Sequence, residues 1–252
     1  MRLPFKIICT KVHTGDYRSY IDTIISWSSN RLSKTVCVSN VHMLVEAYWD
    51  TNFNNSLNSA DMVTPDGMPL VFALKWLYGI KQDRVSGMDL LPELLKQAEA
   101  KHLKLFFYGG TDEMLEHANN HIRINYPSLL DRVAYYSPPF RQLSAAEEDQ
   151  IVERINQFQT NLVFVVLGCP KQEKWLISMK GRINAVMIGI GGALPVMVGL
   201  QKRAPIWMQK ASLEWLFRLI QEPKRLFKRY FVTNSVFIFL LCKHKIQSLY
   251  KN

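Results

Sequence analysis

Three apolar runs, each followed at once by glycine, decide the fold: LKLFFY at 103–108 before Gly109 and Gly110, LVFVVL at 162–167 before Gly168, and AVMIGI at 185–190 before Gly191 and Gly192. Continuous apolar runs of this length are typical of strands that are covered on both faces, as in a parallel sheet. A fourth run, TVCVS at 35–39, ends at Asn40. Helical patterns lie between the runs, for example at 87–100 and 144–158, and this alternation predicts a doubly wound α/β fold.

The last fifth of the chain differs from the rest in charge and in pattern. Residues 201–252 hold 11 Lys and Arg but only two Asp and Glu, so they carry nearly all of the net charge of +10. No strand pattern follows residue 201, and 212–231 is predicted to be helical, with Pro223 marking a break or a new start. We therefore divide the chain into a core of residues 1–200 and a helical, basic C-terminal appendage of residues 201–252. Such a segment indicates a phosphate-rich partner, whether nucleic acid, anionic lipid or a diphosphate substrate.

The cysteines and the apolar runs indicate the compartment. Four cysteines without a CxxC pair give neither a zinc motif nor a disulfide framework, which favours a reducing cytoplasm. The opening MRLPFKIICT is too short in its apolar part for a signal peptide. The longest apolar run, 230–242, is also well below the roughly 20 residues that a membrane-spanning helix needs. We expect a cytoplasmic protein without a transmembrane segment.

Candidate binding residues follow the predicted strands, because ligands of a doubly wound sheet lie beyond the carboxyl ends of its strands. Glycines there permit close approach of a ligand to the backbone, and helix N-termini attract anions. A nucleotide diphosphate would suit such an edge, although any one of these glycines could simply form a tight turn. The candidates are Asn40, Gly109, Gly110, Lys171, Gln172, Gly191 and Gly192.

A second set of candidates concerns acid–base chemistry and charge. VTPDGMP at 63–69 places Asp66 either in an ordinary turn or on a loop where its carboxylate could accept a proton from a sugar hydroxyl. There is no DxD pattern, and HANNH at 117–121 lacks a third ligand, so we predict no metal site. A leaving diphosphate then needs cationic side chains. The appendage offers Arg218, Arg225, Lys228 and Arg229.

The function of the appendage cations has two possible interpretations. Arg218 and Arg225 lie seven residues apart and share one face if the helix continues through Pro223. They could then bind a diphosphate together. The interleaved aromatic residues are equally typical of a basic helix that lies in a lipid interface and has no catalytic role.

Six blocks carry a resemblance to a known family: ADMVTPDGMPLV (60–71), RVSGMDLLPELL (84–95), FFYGG (106–110), LGCPKQEKWL (167–176), IGIGGAL (188–194) and KRAPIWMQKASLEWLFRLIQEPKRLFKRY (202–230). In this order they resemble the WecG/TagA/CpsF family of bacterial glycosyltransferases. The resemblance covers about residues 38–230. Several blocks in the right order are far more specific than any one of them.

The resemblance implies an inverting, metal-independent transferase with a Rossmann-like core and no cofactor. Its donor would be a UDP-sugar and its acceptor a polyprenyl-diphosphate-linked saccharide of cell-surface polysaccharide biosynthesis. By position, Asp66 resembles the catalytic base, Asn40 an active-site polar group and Gln172 a nucleotide-site residue. The diphosphate-binding cations correspond to Arg218 and Arg225, with Lys228 or Arg229. The family also implies an appendage that touches the inner face of the cell membrane and completes the active site.

Two departures from the family pattern leave the donor open. Val38 stands where family members often carry Thr, and Pro195 where many carry Asp. UDP-glucose, UDP-N-acetylmannosamine and its uronic acid all remain candidates. The competing interpretation is a non-catalytic protein that binds membranes or nucleic acid, although we expect no nucleic-acid partner. A dinucleotide-dependent oxidoreductase is disfavoured, because no GxGxxG follows an early strand.

Overall fold

The computed structural model describes residues 2–249, so Met1 and the last three residues of the predicted appendage lie outside the described residues. Eight strands occur in the described part of the chain: β1 (Arg2–Ile7), β2 (Thr10–Thr14), β3 (Lys34–Ser39), β4 (Met62–Pro65), β5 (Leu105–Gly109), β6 (Val133–Tyr136), β7 (Leu162–Val166) and β8 (Val186–Gly189). Twelve α-helices accompany them: α1 (Tyr17–Ser29), α2 (Val41–Trp49), α3 (Thr51–Asn58), α4 (Met68–Tyr78), α5 (Gly87–Ala100), α6 (Asp112–Asn125), α7 (Ala145–Gln157), α8 (Lys171–Ser178), α9 (Ala193–Met197), α10 (Ile206–Lys210), α11 (Glu214–Gln221) and α12 (Pro223–Leu249).

Six of the strands form one parallel sheet in the order β4-β3-β8-β7-β5-β6. The four predicted strands are its four central members, and the predicted α/β fold class is confirmed. Sequence analysis missed β4 and β6, which are short edge strands, and the antiparallel β1–β2 hairpin. Because every strand of the large sheet runs the same way, all six carboxyl ends meet at one edge.

Alternate side chains of the central strands fill two separate apolar layers. Phe107 and Phe164 belong to the layer on one face of the sheet, with their rings 5.0 Å apart. Phe106 and Val163, one residue earlier in each strand, belong to the layer on the opposite face. Helices cover both faces, which explains why β5, β7 and β8 do not alternate between apolar and polar residues.

The C-terminal region contains two helices where the sequence pattern predicted one at 212–231. α11 ends at Gln221, Glu222 follows it, and α12 begins at Pro223. Proline suits the first position of a helix, because its φ is fixed and its missing N–H has no partner there in any case. The condition for Arg218 and Arg225 to share a helix face, a helix that continues through Pro223, is therefore not met, and the alternative of a new start at Pro223 is what the structure shows.

α12 packs along α2 and forms part of the core. Phe237 is 3% exposed and joins the same apolar layer as Phe106. Near the end of the helix, the backbone N–H of Ile8 donates to Nδ1 of His244 at 3.2 Å. None of the helices within residues 2–249 is sufficiently long and apolar to cross a membrane.

Candidate active site

The Asp66 loop is fixed at the carboxyl edge of the sheet by two backbone hydrogen bonds. The N–H of Asp66 donates to the carbonyl oxygen of Ser39, the last residue of β3, at 2.7 Å. The N–H of Val85 donates to the carbonyl oxygen of Pro65 at 3.0 Å. The loop therefore lies between the end of β3 and the segment that leads into α5, and the backbone of Asp66 has a defined position.

Burial raises the pKa of Asp66 from its ordinary value to about 7. The positive charges of Arg218 and Arg84 act against this rise, whereas the nearby Asp89 adds to it. A carboxyl group that titrates near neutral pH is a stronger base than an ordinary aspartate and is still partly deprotonated at pH 7. This is the property that a general base requires.

Arg218 brings a positive charge from α11 to the loop after β8. Its Nη2 donates to the carbonyl oxygen of Gly192 at 3.3 Å. A Cβ at position 192 would lie 2.7 Å from the same nitrogen, so any other residue here would force the guanidinium group to shift. The charge of Arg218 also acts on Asp66, and the predicted base, the glycine loop and one predicted cation are thus brought together.

Gln172 lies beneath this glycine loop and is 5% exposed. A Cβ at Gly189 would be 2.8 Å from its Nε2, and one at Gly191 would be 3.2 Å from its Oε1. Its amide nitrogen donates to Oε1 of the fully buried Glu173 at 2.6 Å, and burial raises the pKa of Glu173. Gln172 therefore supports the loop from below.

Asn40 begins α2, immediately after β3. Its Oδ1 accepts a hydrogen bond from the backbone N–H of Met43 at 3.2 Å, which caps the helix. Because the oxygen is committed to the cap, the amide nitrogen is the group that can reach a ligand. His42 follows in the first turn, and burial together with the charge of Arg229 lowers its pKa to about 4, so this imidazole is neutral at pH 7.

The other predicted core residues lie along the same edge, without a contact to Asp66 in the described structure. Gly109 has φ +101°, and a Cβ there would lie 2.6 Å from the carbonyl oxygen of Val166. The carbonyl oxygen of Gly110 accepts from Oγ of Ser137 at 2.8 Å. Lys171 is exposed at the start of α8. Gly109 thus has a structural reason to be glycine, independent of any ligand.

The remaining predicted cations lie on α12. Arg225 is largely exposed and forms an ion pair with Glu222. Lys228 is also exposed. Arg229 places its guanidinium carbon 5.5 Å from the centroid of the Tyr230 ring. Of these cations, Arg229 turns toward α2, where its charge acts on His42, and Arg225 and Lys228 face solvent.

Sequence reasoning offered Arg203 only as one of several appendage cations and did not predict the group of paired charges that the structure shows near Asp66. Arg84 forms ion pairs with Asp89, at 3.0 Å, and with Glu214. Arg203 pairs with the same Asp89, and its Nε lies 3.8 Å from Oε1 of Glu214. We call these four residues the charge cluster. Arg84 and Asp89 fall within the RVSGMDLLPELL block, but their appendage partners are more than 100 positions away, so no local pattern could reveal the pairing.

No three His, Cys, Asp or Glu side chains within residues 2–249 lie close enough together to hold a metal ion. The four cysteines are free thiols.

Comparison with known proteins identifies the family. The model of the glycosyl transferase WecG/TagA/CpsF family matches residues 5–251, which is nearly the whole chain. The chain belongs to this family. The resemblance inferred from the sequence blocks is confirmed, and this glycosyltransferase is an enzyme, which sets aside the non-catalytic interpretation.

Two curated relatives illustrate the family's chemistry. This glycosyltransferase is 30% identical over 209 residues to the N-acetylglucosaminyldiphosphoundecaprenol N-acetyl-beta-D-mannosaminyltransferase of Bacillus subtilis (strain 168), covering 82% of the chain and 79% of the relative. It is 29% identical over 209 residues to the protein of the same name from Staphylococcus aureus (strain MW2), covering 82% and 80%. The names describe transfer of N-acetylmannosamine to a lipid-linked diphosphate saccharide by these relatives.

Proposed function

We propose that this glycosyltransferase moves a sugar from a UDP-sugar to a polyprenyl-diphosphate-linked saccharide, with inversion and without a metal ion, during cell-surface polysaccharide biosynthesis. The observation that carries the proposal is the position of Asp66 at the carboxyl edge of the sheet. Its pKa is about 7, and the positive charge of Arg218 acts on it. A base and a diphosphate-binding cation side by side are what a sugar transfer with a diphosphate leaving group needs. The names of the curated relatives support a lipid-linked acceptor.

The reaction uses Asp66 as its base. The carboxylate accepts the proton of the acceptor hydroxyl as that oxygen forms a bond to the anomeric carbon of the donor sugar. The oxygen approaches from the face opposite the diphosphate, so the bond from the anomeric carbon to the diphosphate oxygen breaks with inversion. The bonding electrons leave with UDP, and the proton remains on Asp66 until solvent removes it.

Arg218 neutralises the charge that develops on the leaving diphosphate. It lies above the Gly191–Gly192 loop, where the absence of side chains lets phosphate oxygens approach the backbone. Guanidinium groups suit this task because they bind phosphate oxygens in a bidentate manner and stay charged. Arg225, Lys228 and Arg229 on α12 supply further positive charge for the donor or for the diphosphate of the acceptor. Cationic side chains thus take the part that a metal ion plays in other transferases.

Two positions that depart from the family pattern, Val38 and Pro195, hold apolar residues near the carboxyl edge of the sheet. Val38 is 6% exposed, and its Cγ1 lies 3.8 Å from the position of a Cβ on Gly87. Pro195 is buried in α9, directly after the glycine loop. Neither can donate a side-chain hydrogen bond to a sugar. The donors we propose are UDP-glucose, UDP-N-acetylmannosamine and its uronic acid, and the relatives' names favour the second.

We also propose that the enzyme binds the inner face of the cell membrane through its C-terminal helices. Trp207, Phe227 and Phe231 are each more than 60% exposed. Lysines and arginines alternate with these rings along the sequence, as in helices that lie in an anionic lipid interface. This placement would bring the active site to a substrate that is anchored in lipid.

The test is UDP release from a panel of UDP-sugars, with and without a short polyprenyl-diphosphate-linked saccharide, in the presence of EDTA. The panel contains glucose, galactose, N-acetylglucosamine, N-acetylmannosamine and its uronic acid. Acceptor-dependent release from one donor, unchanged by EDTA, is the expected result. UDP release that requires Mg²⁺ or Mn²⁺ would contradict the metal-independent mechanism. Absence of UDP release from every donor, by protein that still binds anionic vesicles, would contradict the proposed reaction.

A further inference from the structure

α11 carries Arg218, yet none of the residues of this helix is fully buried. The contacts that fix its position therefore need to be identified. A helix normally takes its place by burying an apolar face, but Leu216, Phe217 and Leu219 of α11 are only partly buried, so polar contacts also contribute to its position. On one side the ring of Trp215 meets the ring of Tyr230 on α12, with their centroids 6.4 Å apart. The side-chain hydrogen bonds and ion pairs of α11 to other segments include those of Glu214 and Arg218, and Nε2 of Gln221 donates to the carbonyl oxygen of Lys202 at 3.1 Å.

Glu214 is the first residue of α11, and Arg218 follows it by one turn, so both side chains point from the same face of the helix. The carboxylate of Glu214 pairs with Arg84, in the segment before α5, and lies 3.8 Å from Nε of Arg203. Both of these arginines also pair with Asp89 of α5. Glu214 therefore attaches the start of α11 to the core through the charge cluster.

The pair of Glu214 and Arg84 is well removed from solvent, since the two side chains are only 15% and 20% exposed. Ion pairs in such surroundings are screened less than surface pairs, and removal of one partner leaves the other charge uncompensated. The oxygen of Ser86 adds to the rigidity by donating to Asp89 Oδ2 at 2.7 Å. The charge cluster thus holds α11 in one place and in one rotation.

We propose that Glu214 is a positioning residue, which holds α11 through Arg84 and Arg203 so that Arg218 stands over Gly192 beside Asp66. It touches no reacting atom and acts through Arg218. This inference rests on the proposed function, because it assigns to Glu214 a part in the binding of the same diphosphate.

A double-mutant cycle tests the inference. The kcat and KM for the UDP-sugar are measured for the wild type, Glu214→Gln, Arg218→Ala and the double variant. We expect Glu214→Gln to lower kcat by about tenfold and Arg218→Ala by about a hundredfold. In the Arg218→Ala background, Glu214→Gln should lower kcat by less than about twofold, because its effect passes through an arginine that is already absent. A merely structural defect would lower kcat equally in both backgrounds, and that result would overturn the inference.

Three further measurements make the test specific. Glu148→Gln is the matched control, because it removes a carboxylate that lies 3.7 Å from Arg182 on the surface, and it should leave kcat unchanged in both backgrounds. Glu214→Asp keeps the charge and should restore kcat to within about threefold of the wild type. If Glu214→Gln melts too low to assay, Arg203→Gln replaces it, since it removes a partner of the same carboxylate, and it must show the same dependence on Arg218.

Calorimetric UDP binding separates the inference from the proposed function. Wild-type protein that binds UDP and turns over, but shows independent effects in the cycle, would contradict the role of Glu214 alone. Wild-type protein that neither binds UDP nor turns over any donor would contradict the proposed function and the inference with it.

Discussion

The guanidinium group of Arg218 lies 3.3 Å from the carbonyl oxygen of Gly192, and its charge opposes the rise in the pKa of Asp66. One side chain of the appendage thus contacts the glycine loop of the core and acts on the candidate base. Binding of a diphosphate to Arg218 would weaken its attraction for the Asp66 carboxylate, and the base would become stronger when the donor is in place.

Replacement of Asp66 by Asn should abolish transfer while leaving UDP bound. The amide is nearly isosteric but cannot accept the proton, so we expect kcat to fall by about a hundredfold to ten-thousandfold. Initial-rate kinetics and calorimetric UDP titration check the two halves of this prediction. Asp22→Asn, which alters an exposed ion pair with Arg18, is the control and should keep full activity. Normal turnover by Asp66→Asn would remove this residue from the mechanism.

The pH dependence of kcat/KM should report the ionisation of Asp66. Since the pKa of this group is raised to about 7, its basic form is scarce at pH 6 and predominates above pH 8. The rate should rise about tenfold per pH unit below pH 7 and then level off. A profile that is already flat at pH 5 would show that the essential base has an ordinary carboxyl pKa.

The melting temperature should also depend on the ionisation of Asp66, because the pKa of this group differs between the folded and unfolded states. The pKa of Asp66 lies above its ordinary value of 3.8, so between roughly pH 4 and pH 7 the folded state keeps a proton that the unfolded state loses. Stability that depends on this proton is present at low pH and is lost as the pH rises through 7. Asp66→Asn cannot ionise and should melt ~5 °C above the wild type at pH 8, with little difference near pH 4. A lower melting temperature for the variant at pH 8 would contradict the raised pKa.

Two phenylalanines on α12 should separate folding from membrane binding. Phe237 is 3% exposed, and its replacement by Ala should lower the free energy of unfolding by about 3–5 kcal/mol. Phe239, two positions on, is 68% exposed, and Phe239→Ala should change stability by less than about 0.5 kcal/mol. We expect Phe239→Ala to weaken sedimentation with anionic vesicles instead. Denaturant unfolding and vesicle co-sedimentation are the two assays, and unchanged vesicle binding by Phe239→Ala would exclude this face of α12 from the membrane contact.

Truncation at residue 200 should destabilise the core as well as remove the cations. α12 covers α2 and contributes Phe237 to the core, so its deletion would expose apolar surface that α2 now buries. We expect a shortened chain that aggregates or melts well below the full-length protein, and calorimetry checks this. A truncated protein with an unchanged melting temperature would show that residues 201–252 form an independent unit.

The sequence was informative where the physical signal is local. Runs of mainly apolar residues predicted the four central strands, because a strand buried on both faces favours apolar side chains at successive positions. β4 and β6 were not predicted, because an edge strand of four residues gives too short a hydrophobic pattern to recognise. Pro223 was recognised as a possible start, but only the structure showed that it begins a new helix and separates Arg218 from Arg225. The charge cluster could not be predicted for a different reason. Arg84 and Glu214 are 130 positions apart in the sequence and come into contact only in the tertiary fold.

The hydrogen bond between Ile8 and His244 joins positions 236 residues apart. During translation α2 leaves the ribosome long before α12, so the surface that α12 covers stays open until residues 223–249 have been made. Arg218 emerges equally late, after every strand of the sheet. Under the proposed mechanism, a nascent chain that has not yet reached Arg218 would hold Asp66 without its cationic partner and would not consume donor sugar. Activity would begin only after α11 and α12 have been made and have packed onto the core.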